Sequence, residues 1–94
     1  MQFPLWRLVE GPEWASSLSA EDPGDGYFWR NVAALRDCME YDPFAYSEGL
    51  AHEHDDTRVF KTKDVAAGYR LVGLVRIDRS NQTVELGWAT VEPL

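Results

Sequence analysis

The sequence predicts a single α+β domain spanning residues 1–94, in which two helices pack against a C-terminal antiparallel sheet. First, apolar residues recur at helical spacing through residues 27–40. Second, three segments after residue 56 are rich in β-branched and aromatic residues, which favour strands. Third, helices and strands are grouped in runs instead of alternating, as is typical of α+β domains. The predicted order of elements is therefore β-α-α-β-β-β.

The first half of the chain predicts one strand and two helices. Residues 3–9 alternate imperfectly between apolar and polar and predict the strand, and the Gly11-Pro12 turn opens a short helix through Ser19. Residues 21–26 form a loop rich in acids, Pro and Gly. The second helix covers residues 27–40 and ends before Asp42-Pro43. Its apolar face consists of Phe28, Val32, Leu35 and Met39.

The second half predicts three strands, at residues 59–63, 69–78 and 83–91. Residues 79–82 have the length and composition of a turn that joins the last two strands as a hairpin. Residues 43–56 have mixed polarity and carry Gly49 among several acids, so they are predicted to form a surface connection.

The length of the chain predicts one domain, and its single cysteine agrees with a reducing compartment. With 94 residues and 45% hydrophobic content, the chain supports one core and is too short for two. Cys38 is the single cysteine, so no internal disulfide forms, and its place in a predicted helix beside Met39 favours a structural role over a reactive one. No apolar run reaches the roughly 20 residues of a membrane span, and the N-terminus lacks the form of a secretory signal. We therefore expect a cytoplasmic protein.

Charge is distributed unevenly along the chain, whose net charge is −7. Residues 1–56 carry twelve acidic residues and three arginines, whereas residues 57–94 carry four acidic residues and six lysines or arginines. Cations concentrated on predicted strands in an otherwise acidic chain indicate a site for a polyanion.

The strand motif after residue 59 resembles the RelE/ParE family of bacterial toxin–antitoxin systems. It consists of a Lys-Thr-Lys strand at residues 61–63, a short turn, and a Gly-Tyr-Arg-Leu-Val strand at residues 68–72 that opens a hairpin. A helix that ends in Asp-Pro before the sheet is also similar to the family. The resemblance implies a RelE/ParE-like fold, an antitoxin protein as partner, and metal-independent cleavage of ribosome-bound mRNA without a cofactor.

Cleavage of RNA by attack of a ribose 2′-hydroxyl develops negative charge on the scissile phosphate, which Lys and Arg stabilise. Lys61 and Lys63 share one face of their strand and are expected to orient phosphates, while Arg70 is expected to stabilise the transition state. These three are the candidate catalytic residues. Arg76, with the strand parity of Arg70, and Arg79 are the candidate RNA-binding residues. Whether the cations converge depends on the strand register.

A noncatalytic, toxin-derived protein-interaction module is the main alternative. After Trp88 the chain reads Ala-Thr-Val-Glu-Pro-Leu and offers no acid–base group of the kind that RelE-type toxins often carry there. The net negative charge also opposes docking on RNA. On this interpretation, the strand cations only decorate an exposed surface and discourage edge-to-edge association.

Three weaker signals have alternatives of their own. Residues 72–76 and 84–88 resemble the central hairpin of acetyltransferases, which leaves a truncated acetyltransferase-like module as a less favoured possibility. The His-Glu-His-Asp-Asp run at residues 52–56 has metal-ligand composition, but without a second ligand cluster it favours a solvated loop and no metal site. Tyr69 and Trp88 either stack on bases or fill the core, and in so small a domain the core is favoured.

Overall fold

The structure, a computed structural model, describes residues 5–50, 56–62 and 68–94. It confirms the predicted α+β class and the run of three C-terminal strands. The elements are β1 (Arg7–Glu10), α1 (Trp14–Glu21), α2 (Tyr27–Tyr41), β2 (Glu48–Gly49), β3 (Thr57–Lys61), β4 (Tyr69–Asp78) and β5 (Thr83–Pro93).

The strands form one mixed sheet in the order β1-β5-β4-β3-β2. β1 runs parallel to β5, and the other neighbours are antiparallel. The central β4–β5 hairpin is joined by a turn at residues 79–82, as the sequence predicts. This hairpin is the longest pairing in the sheet, so it fixes the positions of most side chains considered below.

The strand β2 lies in the segment that the sequence predicted to be a surface connection. Arg58 of β3 holds this segment down, because its guanidinium donates hydrogen bonds to Oγ and the carbonyl oxygen of Ser47 at 2.7 and 2.8 Å. The same guanidinium lies 5.3 Å from the ring centroid of Phe44. Pro43 and Ser47 are buried as a result. The prediction missed this because the anchoring arginine lies more than ten residues further along the chain.

Helix α2 packs on β4 through the apolar face that its periodicity predicts. Phe28, Val32, Leu35 and Met39 are all buried in the single core cluster. A Cβ atom built on Gly73 of β4 would lie 2.6 Å from Cδ1 of Leu35, so only glycine allows the helix to approach the strand this closely. With 8 and 15 residues, neither α1 nor α2 of the described chain is long and apolar enough to cross a bilayer.

Helix α1 covers the part of the β5 edge that β1 leaves unpaired. β1 pairs only with residues 83–86 of β5. Beyond them, Oγ of Ser17 accepts a hydrogen bond from the backbone N–H of Ala89 at 2.9 Å, and Oγ1 of Thr90 donates to Glu21 at 2.8 Å. Trp14 and Leu18 bury the inner side of the helix in the core. An edge capped in this way is closed to pairing with another strand.

Candidate functional site

One face of the sheet packs on the helices, and the other carries most of the strand charges. Along β4 the odd-numbered side chains from position 71 to 77 are buried towards α2, whereas the even-numbered ones alternate to the opposite side. We call this opposite side the open face. It comprises the even-numbered residues of β4 and their register partners, among them Val59, Lys61, Arg70, Val72, Leu74, Arg76, Glu85, Trp88, Thr90 and Glu92.

The strand register brings two of the predicted catalytic residues to neighbouring positions on the open face. Lys61 of β3 is the register partner of Val72. Arg70 lies two residues before Val72 on the same side of β4, so it is the diagonal neighbour of Lys61, within reach of long side chains. Lys63, the third predicted catalytic residue, lies outside the described residues.

Carboxylates from β5 stand across from both arginines of β4. Glu92 is the register partner of Arg70, and Glu85 is the partner of Arg76. Oε2 of Glu92 also lies 3.7 Å from Nζ of Lys61, in an ion pair whose side chains are 48% and 44% exposed. Lys61, Arg70 and Arg76 therefore each lie near a carboxylate of β5, and the described part of the open face is not a continuous positive surface.

The predicted RNA-binding arginines lie away from this pair. Arg76 is exposed on the open face but six residues from Arg70, a separation of about 20 Å along a strand. Arg79 lies in the hairpin turn, and its guanidinium carbon is 3.9 Å from the ring centroid of Phe44. The structure thus brings Lys61 and Arg70 together and leaves Arg76 and Arg79 at the far end of the hairpin.

Arg70 has an unusual local environment for a strand arginine. The side chain is half-buried, and its Nε is shielded from solvent without a hydrogen-bond partner in the described part of the chain. An unpaired buried donor is costly and rare in native structures, so a group left in this state is a reason to look for a ligand. Among the described side chains of the open face, Arg70 is therefore the best candidate to bind an anionic ligand.

Between the charged positions, the open face has an apolar centre. Val59, Leu74 and Trp88 are consecutive register partners across β3, β4 and β5. Trp88 reaches this face because the register shifts after Leu74, so that Val75 pairs with Leu86 and Gly87 is left over as a bulge. The exposed fraction of Trp88 is 38%, which leaves its ring available for contact with a partner.

Comparison with known proteins finds its matches among solved structures. No family model matches the chain, and no curated protein matches it significantly in sequence. The toxin–antitoxin complex RelBE2 from Mycobacterium tuberculosis matches with a TM-score of 0.67 at 18% identity, over 98% of this chain and 100% of that chain. The chain has a RelE-like fold. The archaeal RelE–RelB complex from Pyrococcus horikoshii OT3 matches with a TM-score of 0.51 at 15% identity, over 94% of this chain and 93% of that one.

Tyr69 ties the start of β4 in this RelE-like domain to the loop before α2. Its hydroxyl donates to the carboxylate of Asp25, with both oxygens 3.0 Å away. Burial, followed by this hydrogen bond and the charges of Asp25 and Asp22, raises the pKa of Tyr69 to about 12. A phenol held in this way is a poor general base near neutral pH. The sequence favoured a core position for Tyr69 over base stacking and gave no sign of this contact, because Asp25 lies 44 residues earlier.

We expect Tyr69→Phe to lower the free energy of unfolding by about 1 kcal/mol, because it removes a hydrogen bond to a carboxylate. The folded-state pKa lies above the ordinary value of 10, so the contribution is complete below pH 10 and is lost as pH rises towards 12. Chemical denaturation at pH 7 and at stepwise higher pH measures both effects. Tyr41→Phe, at an exposed position, is the matched control. Equal free energies of unfolding for wild type and Tyr69→Phe at pH 7 would show that the hydrogen bond from Tyr69 to Asp25 does not stabilise the fold.

A cleft of about 560 Å³ lies between α2, the residues around β2 and strand β3, and it extends to Val59 and Lys61 of the open face. Asn31 and Cys38 of α2 line one wall, and Tyr46, Phe60 and Thr62 line the other. Cys38 is half-buried in this wall, in the helix where the sequence places it. The His-Glu-His-Asp-Asp run at residues 52–56, which the sequence favours as a solvated loop, lies outside the described residues except for Asp56.

Proposed function

We propose that this RelE-like domain is the toxin-type component of a toxin–antitoxin pair and is neutralised by an antitoxin polypeptide. The proposal is carried by the full-length RelE-like fold. Both matched structures are described as toxin–antitoxin or RelE–RelB complexes, and each match covers more than nine-tenths of both chains. The likeness therefore concerns the whole domain and not one shared hairpin.

We further propose that the toxin acts in the cytoplasm by cleaving mRNA on the ribosome, with the open face as the catalytic surface. Lys61 and Arg70 are neighbours on that face, and the half-buried guanidinium of Arg70 has an unpaired Nε. In the cleavage step, the 2′-hydroxyl loses its proton to solvent and its oxygen bonds to the adjacent phosphorus. The bond to the 5′-oxygen breaks and that oxygen takes up a proton from solvent, which gives a 2′,3′-cyclic phosphate and a 5′-hydroxyl. Lys61, with Lys63, would hold the phosphate, and Arg70 would stabilise the charge that develops on it.

A noncatalytic protein-binding module is the second candidate, and the acids of β5 favour it. Glu85 and Glu92 oppose Arg76 and Arg70, which lowers the attraction of the face for a polyanion. The hydroxyl of Tyr69, a phenol next to Arg70, is held by Asp25 and is not free to move protons. An exposed Trp between charged pairs is also typical of protein interfaces.

Induced expression in a bacterial host is expected to arrest growth, and co-expression of the small open reading frame adjacent to the gene should restore it. The Lys61→Ala, Arg70→Ala double variant is the matched control, because both substitutions remove cations from the open face without touching the core. It should be folded, should bind the same antitoxin on co-purification, and should not arrest growth.

Two outcomes separate the candidates. Unimpeded growth despite abundant folded wild-type protein that still co-purifies with the adjacent gene product would favour the noncatalytic module. Absence of both growth arrest and co-purification would contradict the assignment to a toxin–antitoxin pair.

A further inference from the structure

We propose that Glu92 is a specificity-determining residue of the open face, whose carboxylate competes with RNA phosphates for Lys61 and Arg70. This inference rests on the proposed RNA-cleaving function. It adds a reason why the domain would discriminate against free RNA. It predicts that the isolated domain binds free RNA weakly, so that productive contact depends on RNA presented at high local concentration. The residue lies on β5.

The position of Glu92 relative to the two cations follows from the strand register and from one ion pair. It is the direct cross-strand partner of Arg70, which places the two side chains on the same side of the sheet. Its Oε2 lies 3.7 Å from Nζ of Lys61, one strand further away. One carboxylate is thus paired with Lys61 and lies on the strand position next to Arg70, the two described cations that are predicted to act on phosphate.

The strength of the Lys61–Glu92 ion pair decides whether the carboxylate keeps phosphate away from the open face or only competes with it for the cations. Both side chains are about half exposed, and ion pairs of this kind contribute little because water screens them. A phosphate held nearby can therefore displace the carboxylate. Removing the negative charge should strengthen binding of free RNA by up to about fivefold, the upper end of the range expected for a screened pair.

Salt dependence provides a readout that a purely structural role of Glu92 would not change. Counterions condensed on RNA are released when a protein cation neutralises a phosphate, and a cation whose charge is already offset by a carboxylate releases fewer of them. Without Glu92, Lys61 and Arg70 should each release condensed ions from the RNA. The slope of log affinity against log salt should then steepen by up to about 0.7 per cation for single-stranded RNA.

The test measures fluorescence anisotropy of a 2′-O-methyl oligoribonucleotide of about ten nucleotides, which binds but lacks the attacking hydroxyl. Glu92→Gln keeps the shape of the side chain and removes its charge. Glu13→Gln makes the same change in net charge at an exposed residue just before α1, away from the open face. Each substitution is also made in a Lys61→Ala, Arg70→Ala background.

Tighter binding and a steeper salt slope for Glu92→Gln than for Glu13→Gln, both lost in the background without the two cations, are the expected results. Equal binding by the two glutamine variants overturns the proposal, including the case in which neither binds measurably. A gain that persists without Lys61 and Arg70 also overturns it, because Glu92 would then act through net charge alone. The growth and co-purification experiments test the toxin function with the wild-type domain. If they fail while Glu92→Gln still binds RNA more tightly, only the toxin function is rejected.

Discussion

Leu35→Ala is expected to lower the free energy of unfolding by about 2–5 kcal/mol, the range for a buried leucine whose removal leaves a cavity. Leu35 has no exposed surface and lies at the centre of the α2 face that packs on β4. Its Cδ1 occupies the space that a side chain on Gly73 would need. The site therefore has little freedom to collapse around a smaller residue.

Urea denaturation monitored by circular dichroism measures this effect, with Leu94→Ala as the matched control. Leu94 is 65% exposed, and its truncation should change stability by less than about 0.5 kcal/mol. A change near zero for Leu35→Ala would show that α2 presents a different face to the sheet.

The contact between Leu35 and Gly73 also predicts coupling. Gly73→Ala alone should destabilise by about 1–3 kcal/mol through overpacking. The double variant should lose less stability than the two single changes added together, because the new methyl group enters the space that Leu35 leaves. Additive losses would mean that the two residues are not in contact.

Arg70→Ala is expected to reduce cleavage of ribosome-bound mRNA by about 10²- to 10³-fold while the fold stays intact, because it removes a charge contact made to the transition state. On the proposed mechanism, Lys61→Ala should mainly weaken binding and flatten its salt dependence, because it removes a cation that would neutralise a phosphate. The measurement compares wild type and variants on ribosome-bound and free RNA, and circular dichroism checks folding.

Arg30→Ala is the matched control for this loss. Arg30 is exposed on α2, with its guanidinium carbon 5.8 Å from the ring centroid of Tyr27, and lies in the helical layer instead of on the open face. Its removal should leave cleavage unchanged. The wild-type domain should cleave ribosome-bound RNA. If it neither cleaves nor binds ribosome-bound or free RNA, the nuclease function is wrong and the protein-interaction module becomes the preferred account.

Local patterns predicted the parts of the fold that local physics determines. The spacing of Phe28, Val32, Leu35 and Met39 identified the buried face of α2, since a helix presents every third or fourth residue to the same side. The hairpin turn was predictable from its length and composition for a similar reason. These features depend on residues close together in sequence.

Features that depend on distant partners were not predictable in the same way. The bulge at Gly87 turns Trp88 out of the core, although strict alternation from Leu86 would bury it. Glu92 meets Lys61 and Arg70 only through the register of β3, β4 and β5, which no single segment encodes. Sequence therefore supplied the candidate cations but not the carboxylate that opposes them.

The covering of β5 by α1 has a consequence for how the domain folds. The strand is rich in apolar residues along positions 84–91, and Ser17 of α1 occupies the backbone N–H of Ala89 on its outer edge. Until the short helix docks, that edge remains a template on which another chain can add a strand. Docking of α1 closes this edge, so conditions that detach the helix first should expose β5 to association and make thermal unfolding irreversible.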